Sequence, residues 1–262
     1  MQQLRFGIFF SVFGVLLSML TASSWASDSS GTQESAYIAS EDPMADVQKG
    51  LERARAQDKL LLVVMGAQWC HDSRGLVEKF SDSRVAELLA ANYETVFIDV
   101  GYFKDLRAIS RRFNQAHYFA TPTVMIINAD NERLINRDDM SIWGSADSVP
   151  LERYLEYFEV YAANPSPNYV PLPDAQASLV LSFEQTQSER LQSAYEHLVP
   201  GMQAEDRTGA AGKEFLQQWR EVWRYRSALQ KDILSLRQQA QEAPDTELVF
   251  PEYPSFSWEG DS

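Results

Sequence analysis

The chain has 262 residues and a formal net charge of −14, with 23 basic side chains against 37 acidic ones. Such a surface repels nucleic acid and anionic membranes, which excludes phosphate-backbone binding as its main work. Hydrophobic residues make up 45% of the chain, enough to bury one sizeable core with an appendage.

The first 26 residues, MQQLRFGIFFSVFGVLLSMLTASSWA, follow the layout of a secretory signal peptide. Arg5 and the amino terminus supply positive charge, an uncharged apolar run follows, and Ser24 and Ala26 put small residues just before Ser27. The expectation is a periplasmic protein cleaved after Ala26; the alternative is an inner-membrane anchor through residues 6–22. Residues 27–41 are polar and Ser-rich and read as a flexible leader.

Asp42-Pro43 is a helix cap with proline in the first turn, and Met44, Val47, Leu51 and Ala54 then recur at helical spacing. KLLLVVM, residues 59–65, is an unbroken apolar run that suits a strand buried on both faces. SDSRVAELLAANY, residues 81–93, carries a cap and a stripe of Val85, Leu88 and Leu89. ETVFIDV, residues 94–100, is a second buried strand, and residues 104–113 put Leu106, Ile109 and Phe113 on one helical face. TPTVMIIN, residues 121–128, is a third strand; residues 129–132 turn, and residues 133–137 form a fourth. Asp138 and Asp139 read as a solvated turn. Ser148 caps a further helix with Pro150 in its first turn and Leu151, Tyr154, Leu155 and Phe158 on its apolar side.

This alternation predicts an α/β fold with a mixed four-stranded sheet flanked by helices, its closing strand pair antiparallel. The second half differs. Residues 163–174 are proline-rich and read as a stiff linker between a domain over 42–162 and a helical region over 175–243. One helix runs over residues 174–199 with Leu191, Ala194, Tyr195 and Leu198 on one face, and Pro200-Gly201 breaks it ahead of a loop, AEDRTGAAG. A longer helix over 213–240 carries Phe215, Trp219, Val222, Leu229, Ile233 and Leu236 on a 4-3 repeat that Arg226 interrupts. A C-terminal helical hairpin is one reading; a coiled coil over residues 213–240 that self-associates or takes a protein partner is the other. Residues 244–262 form an acidic, aromatic tail that docks on a surface or stays mobile.

The chain has a single cysteine, Cys70, so no internal disulfide can form. It lies a few residues past the first apolar strand, where the next helix begins. Helix N-termini carry unpaired N–H groups and partial positive charge, which favour a thiolate. His71 assists when protonated, Asp72 opposes, and Trp69 shields one side of the sulfur. A buried, inert cysteine is the plain alternative.

Three stretches carry a family resemblance: DKLLLVVMGAQWC (58–70), FSDSRVAELLAANYETVFIDV (80–100) and ATPTVMIINADNERL (120–134). Over residues 43–161 the sequence resembles thioredoxin-fold proteins, in particular the exported bacterial branch related to thiol-reducing domains of cytochrome-biogenesis and disulfide-reductase proteins. The resemblance implies that Cys70 is the attacking thiol, that Trp69 and His71 are its neighbours in the substrate groove, that Pro122 is cis, and that Thr121 presents backbone groups to an extended substrate. Two departures stand out. Ser73 replaces the family's second cysteine, and Val64 occupies the place of a buried carboxylate. Serine cannot resolve a mixed disulfide, so a net dithiol reductase or oxidase is excluded. Ser73 is left to donate a hydrogen bond to the Cys70 sulfur.

Two functions remain. One is monothiol exchange or isomerisation through Cys70 with protein or small-molecule thiols and disulfides. The other is a redox-inert thioredoxin-fold adaptor acting through its groove and C-terminal helices. No metal is expected: Cys70, His71 and Asp72 are too close in sequence to converge on one ion. No nucleotide-binding glycine pattern occurs, so no cofactor is expected.

Overall fold

The computed structural model describes residues 35–167 and 171–260. The signal peptide, the membrane-anchor alternative and residues 27–34 of the leader lie outside the described residues. Among the described residues no helix is long and apolar enough to cross a membrane.

Helix α1 (Pro43–Ala56) starts as its sequence directs, with the Asp42 carboxylate accepting from the Ala45 amide at 2.9 Å and proline in the first turn. Its Val47, Leu51 and Ala54 are buried against the sheet. Strand β1 (Leu60–Gly66) is buried at every position because it lies inside the sheet, between β2 (Tyr93–Asp99) and β3 (Thr123–Asn128). It runs parallel to β2 and antiparallel to β3, and β3 pairs antiparallel with β4 (Arg133–Leu134). The sheet is therefore mixed and four-stranded, in the order β2-β1-β3-β4.

Two helices rather than one lie between β1 and β2: α2 (His71–Phe80) and α3 (Ser83–Asn92). The break falls where the Asp82 side chain accepts from the Arg84 amide at 3.1 Å and restarts the helix. Helix α4 (Arg107–Arg112) precedes β3, and α5 (Leu151–Ala163) follows β4. Between β4 and α5 lies a 3-10 segment, Met140–Ser148, that the periodicity did not suggest; it packs against α2 and β3 and buries Trp143 completely. Pro150, not Ser148, caps α5. The Asp138-Asp139 turn is not purely solvated, since the Asp139 carboxylate accepts from the Tyr157 and Tyr161 hydroxyls at 2.8 and 2.7 Å.

The expected break at Pro200 is corrected: helix α6 (Asp174–Thr208) runs straight through it. Proline forfeits one backbone hydrogen bond there, but Leu198 and Met202 on either side are buried and hold the helix together. Gly201 is not a breaker. A Cβ at that position would sit 2.2 Å from Phe215 Cδ2, so the glycine lets α6 and α7 (Lys213–Glu242) approach closely. Helix α6 ends at Gly209, which adopts the left-handed conformation at φ 68°. Helices α6 and α7 pack on each other as a hairpin.

The hairpin shares one apolar core with the sheet: Leu191, Tyr195, Leu198, Val222 and Leu229 join the cluster built on β1 and β3. The tail docks on the hairpin. Phe256 is buried, its ring stacks on Trp258 at 4.5 Å, and Trp258 stacks on His197 at 4.1 Å. The expected flexible leader is corrected over residues 35–41. Tyr37 is buried there, because Gly66 leaves space that a Cβ would take from the Tyr37 ring, 2.6 Å away.

Candidate functional site

Cys70 is the N-cap of α2, three residues past the buried segment that ends at Ala67. Its own carbonyl accepts from the Arg74 amide at 3.1 Å, the bond that opens the helix. The Sγ–H group points across to the loop before β3 and donates to the Thr121 carbonyl at 3.0 Å. The Thr121–Pro122 bond is cis. The sulfur and the loop before β3 therefore face each other, as the sequence reading required.

Exposure of the thiol is a different matter. Cys70 is only 8% exposed, as the buried alternative has it. The preceding residue, Trp69, belongs to an aromatic ladder. The Trp69 indole N–H donates to the Gly101 carbonyl at 2.7 Å, and its ring meets Phe103 at 5.2 Å and Trp219 of α7 at 5.8 Å, both edge-on. Phe103 in turn stacks flat on Tyr195 of α6 at 4.1 Å. The tryptophan beside the thiol is thus pinned by the appended hairpin.

Ser73 is fully buried and does not reach the sulfur. Its hydroxyl accepts from the Ala67 amide at 3.3 Å, and no hydrogen bond joins it to Cys70. The expected Ser73–thiolate bond is corrected accordingly: on the first turn of α2 the Ser73 side chain faces the end of β1 instead. Tyr37 was invisible as a site residue. Its hydroxyl donates to the Ser73 carbonyl at 3.3 Å, and burial raises its pKa well above the usual phenol value. Its only sequence signal was an aromatic ring in an otherwise polar leader. His71 is exposed and its Nε2 lies 3.4 Å from the Asp72 carboxylate. Asp72 also accepts from the Asp147 amide at 3.2 Å, tying α2 to the 3-10 segment. Thr121 is buried and its Oγ1 has no hydrogen-bond partner among the described residues. Val64, at the place of the family's carboxylate, is fully buried between Phe97 of β2 and Val124 of β3 in register.

Residues 42–129 match the model of a family described as thioredoxin-like. That segment is similar to thioredoxin-like domains. It carries the whole constellation of Trp69, Cys70, Ser73, Thr121 and Pro122, while α5, the hairpin and the tail lie beyond the match. A solved structure, the disulphide isomerase from Xylella fastidiosa Temecula1, is 23% identical, with a TM-score of 0.42, and the likeness covers 47% of this chain and 94% of that one. No curated protein matches the chain. Among the described residues, no group of three or more His, Cys, Asp or Glu side chains is placed to hold a metal ion.

Chemically, the domain offers one sulfur at a helix start, one carbonyl in contact with it, and no second thiol.

Proposed function

We propose that the protein is a monothiol exchange or isomerase-type protein whose single nucleophile is Cys70. The reading is supported by one contact above all, the 3.0 Å hydrogen bond from the Cys70 thiol to the Thr121 carbonyl. It puts the sulfur against the backbone edge with which an extended substrate would pair. In the forward step the Cys70 thiolate attacks a disulfide R–S–S–R′. The Cys70–S–S–R bond forms as the S–S bond of the substrate breaks, and R′–S⁻ leaves with the electron pair. Ser73 cannot complete the cycle. A second thiolate, R″–S⁻, therefore attacks the mixed disulfide, releasing R–S–S–R″ and regenerating Cys70–S⁻. The chain is neither oxidised nor reduced over one cycle. Residues 1–26 fit export to the periplasm, where disulfides persist, and a lone thiol there has no partner of its own. Trp69, His71, Thr121 and Pro122 would line the substrate groove.

The test is native-state trapping. The folded protein, mixed with a small aromatic disulfide, takes up one equivalent as an adduct on Cys70 and releases it when excess thiol is added; C70S takes up none. A chain that reacts only after unfolding in urea overturns the exchange reading. That result would favour a redox-inert adaptor, the reading that the 8% exposure of Cys70 speaks for.

A further inference from the structure

Arg226 interrupts the apolar repeat of α7, and it does not swing out to water. It is 8% exposed. Among the described residues it forms no ion pair; the polar group beside it is the neutral hydroxyl of Tyr195. A cation taken out of water without a counter-ion is costly, and proteins meet that cost with a partner charge. Among the described residues there is no such partner.

The space beside Arg226 shows where one would sit. A cavity of about 290 Å³ opens between α7 and the Phe119 and Ala120 edge of the loop before β3. Trp223 and Leu234 give it an apolar wall, while Arg226, Lys231 and Gln230 bring polar groups from α7. Ser141 and Ser145 of the 3-10 segment close the far side. No acidic side chain lines it, although the chain holds 37 acidic residues against 23 basic ones. Lys231 and Arg226 stand five residues apart, about 140° around the helix, so they flank the crevice from its two sides.

We propose that this crevice is a binding site for a small organic dianion bearing carboxylate or phosphate groups. Arg226 supplies the planar fork that grips one oxyanion, and Lys231 the second charge at the mouth. Trp223 and Leu234 contact the ligand's carbon frame. The charged groups of the site come from α7, outside the thioredoxin-like segment, and the site does not depend on any chemistry at Cys70.

The experiment is calorimetric titration of the full chain with citrate and, separately, with inorganic phosphate, against sodium chloride at matched ionic strength. Saturable binding of either probe, absent with chloride, is the expected result; phosphate alone assigns a phosphoryl ligand and citrate alone a carboxylate. R226M is expected to weaken that binding at least about tenfold, the loss of a charge-assisted hydrogen bond. It is also expected to melt higher than the wild type without ligand, since it removes an unpaired buried charge. K231Q, at an exposed position, leaves the fold intact and weakens binding several-fold, and it decides the matter if R226M does not fold. Absence of saturable binding, or binding unchanged in K231Q and in any folded R226M, overturns the proposal.

Discussion

Trp69 of the thioredoxin-like domain and Trp219 of α7 meet edge-on with ring centroids 5.8 Å apart. The residue beside the only cysteine is thereby held by a helix that the family match does not include. An edge-on aromatic pair contributes about 0.5–1.5 kcal/mol. Trp219→Ala should release Trp69 and uncover Cys70. The rate of Cys70 alkylation under native conditions is expected to rise by up to about tenfold, the kinetic equivalent of that energy. An unchanged rate in a folded variant would mean that the hairpin does not control access to the sulfur.

His117 makes stability depend on pH. It is fully buried, with Nδ1 3.0 Å from the Tyr118 carbonyl and Nε2 3.2 Å from Gln192 Oε1 on α6. Desolvation first, then the repulsion of Arg107, lowers its pKa from 6.5 to about 4, against the backbone and Gln192 contacts that raise it. The folded state therefore resists a proton that the unfolded chain accepts. Stability is full above pH 6.5 and is lost as pH falls toward 4, by about 3 kcal/mol at the lower end. Asp105, lowered to about 2 by its hydrogen bond from Arg107, acts in the same direction but in a lower window. Urea midpoints between pH 7 and 4 should fall for the wild type and flatten for His117→Gln. Parallel curves for the two would remove His117 as the cause.

What could be read in advance was what local chemistry determines. The apolar run of β1 and the cap at Asp42 are written in neighbouring residues, and so is Cys70 at the start of α2. The family resemblance added the cis bond before Pro122. What could not be read depends on partners far along the chain. Tyr37 is a site residue only because Gly66 leaves room for its ring. Pro200 looks like a break until Leu198 and Met202 are seen to be buried. Arg226 looked like a flaw in a heptad repeat, yet it is a buried cation at the edge of a crevice. The 3-10 segment has no apolar period of 3.6 residues, so no pattern announced it.

Asn136 stands in for a strand. Its Oδ1 accepts from the Ile126 amide at 2.8 Å, and its Nδ2 donates to the Val124 carbonyl at 2.9 Å and to the Tyr157 hydroxyl at 3.0 Å. These bonds satisfy the edge of β3 past the point where β4 ends at Leu134. Asn136→Ala leaves a buried amide and carbonyl unpaired, and a loss of about 2–4 kcal/mol is expected in chemical denaturation. Asn136→Asp keeps the acceptor and buries a charge, so it should be no better at pH 7 and should recover partly at low pH.

Gly201 and Phe215 set the distance between the two appended helices. Alanine in place of glycine raises helix propensity by about 1 kcal/mol. Here that gain is outweighed, because the new Cβ would lie 2.2 Å from Phe215 Cδ2 and 2.8 Å from both Cγ and Cε2. The ring is buried and has to move as a body. Overpacking of this kind costs about 1–3 kcal/mol. Gly201→Ala is therefore expected to destabilise the chain, and Phe215→Leu should rescue it by vacating the space. The measurement is a double-mutant cycle in urea. A favourable coupling between the two substitutions shows that they share one contact. Additive effects would mean that the hairpin is spaced by other residues.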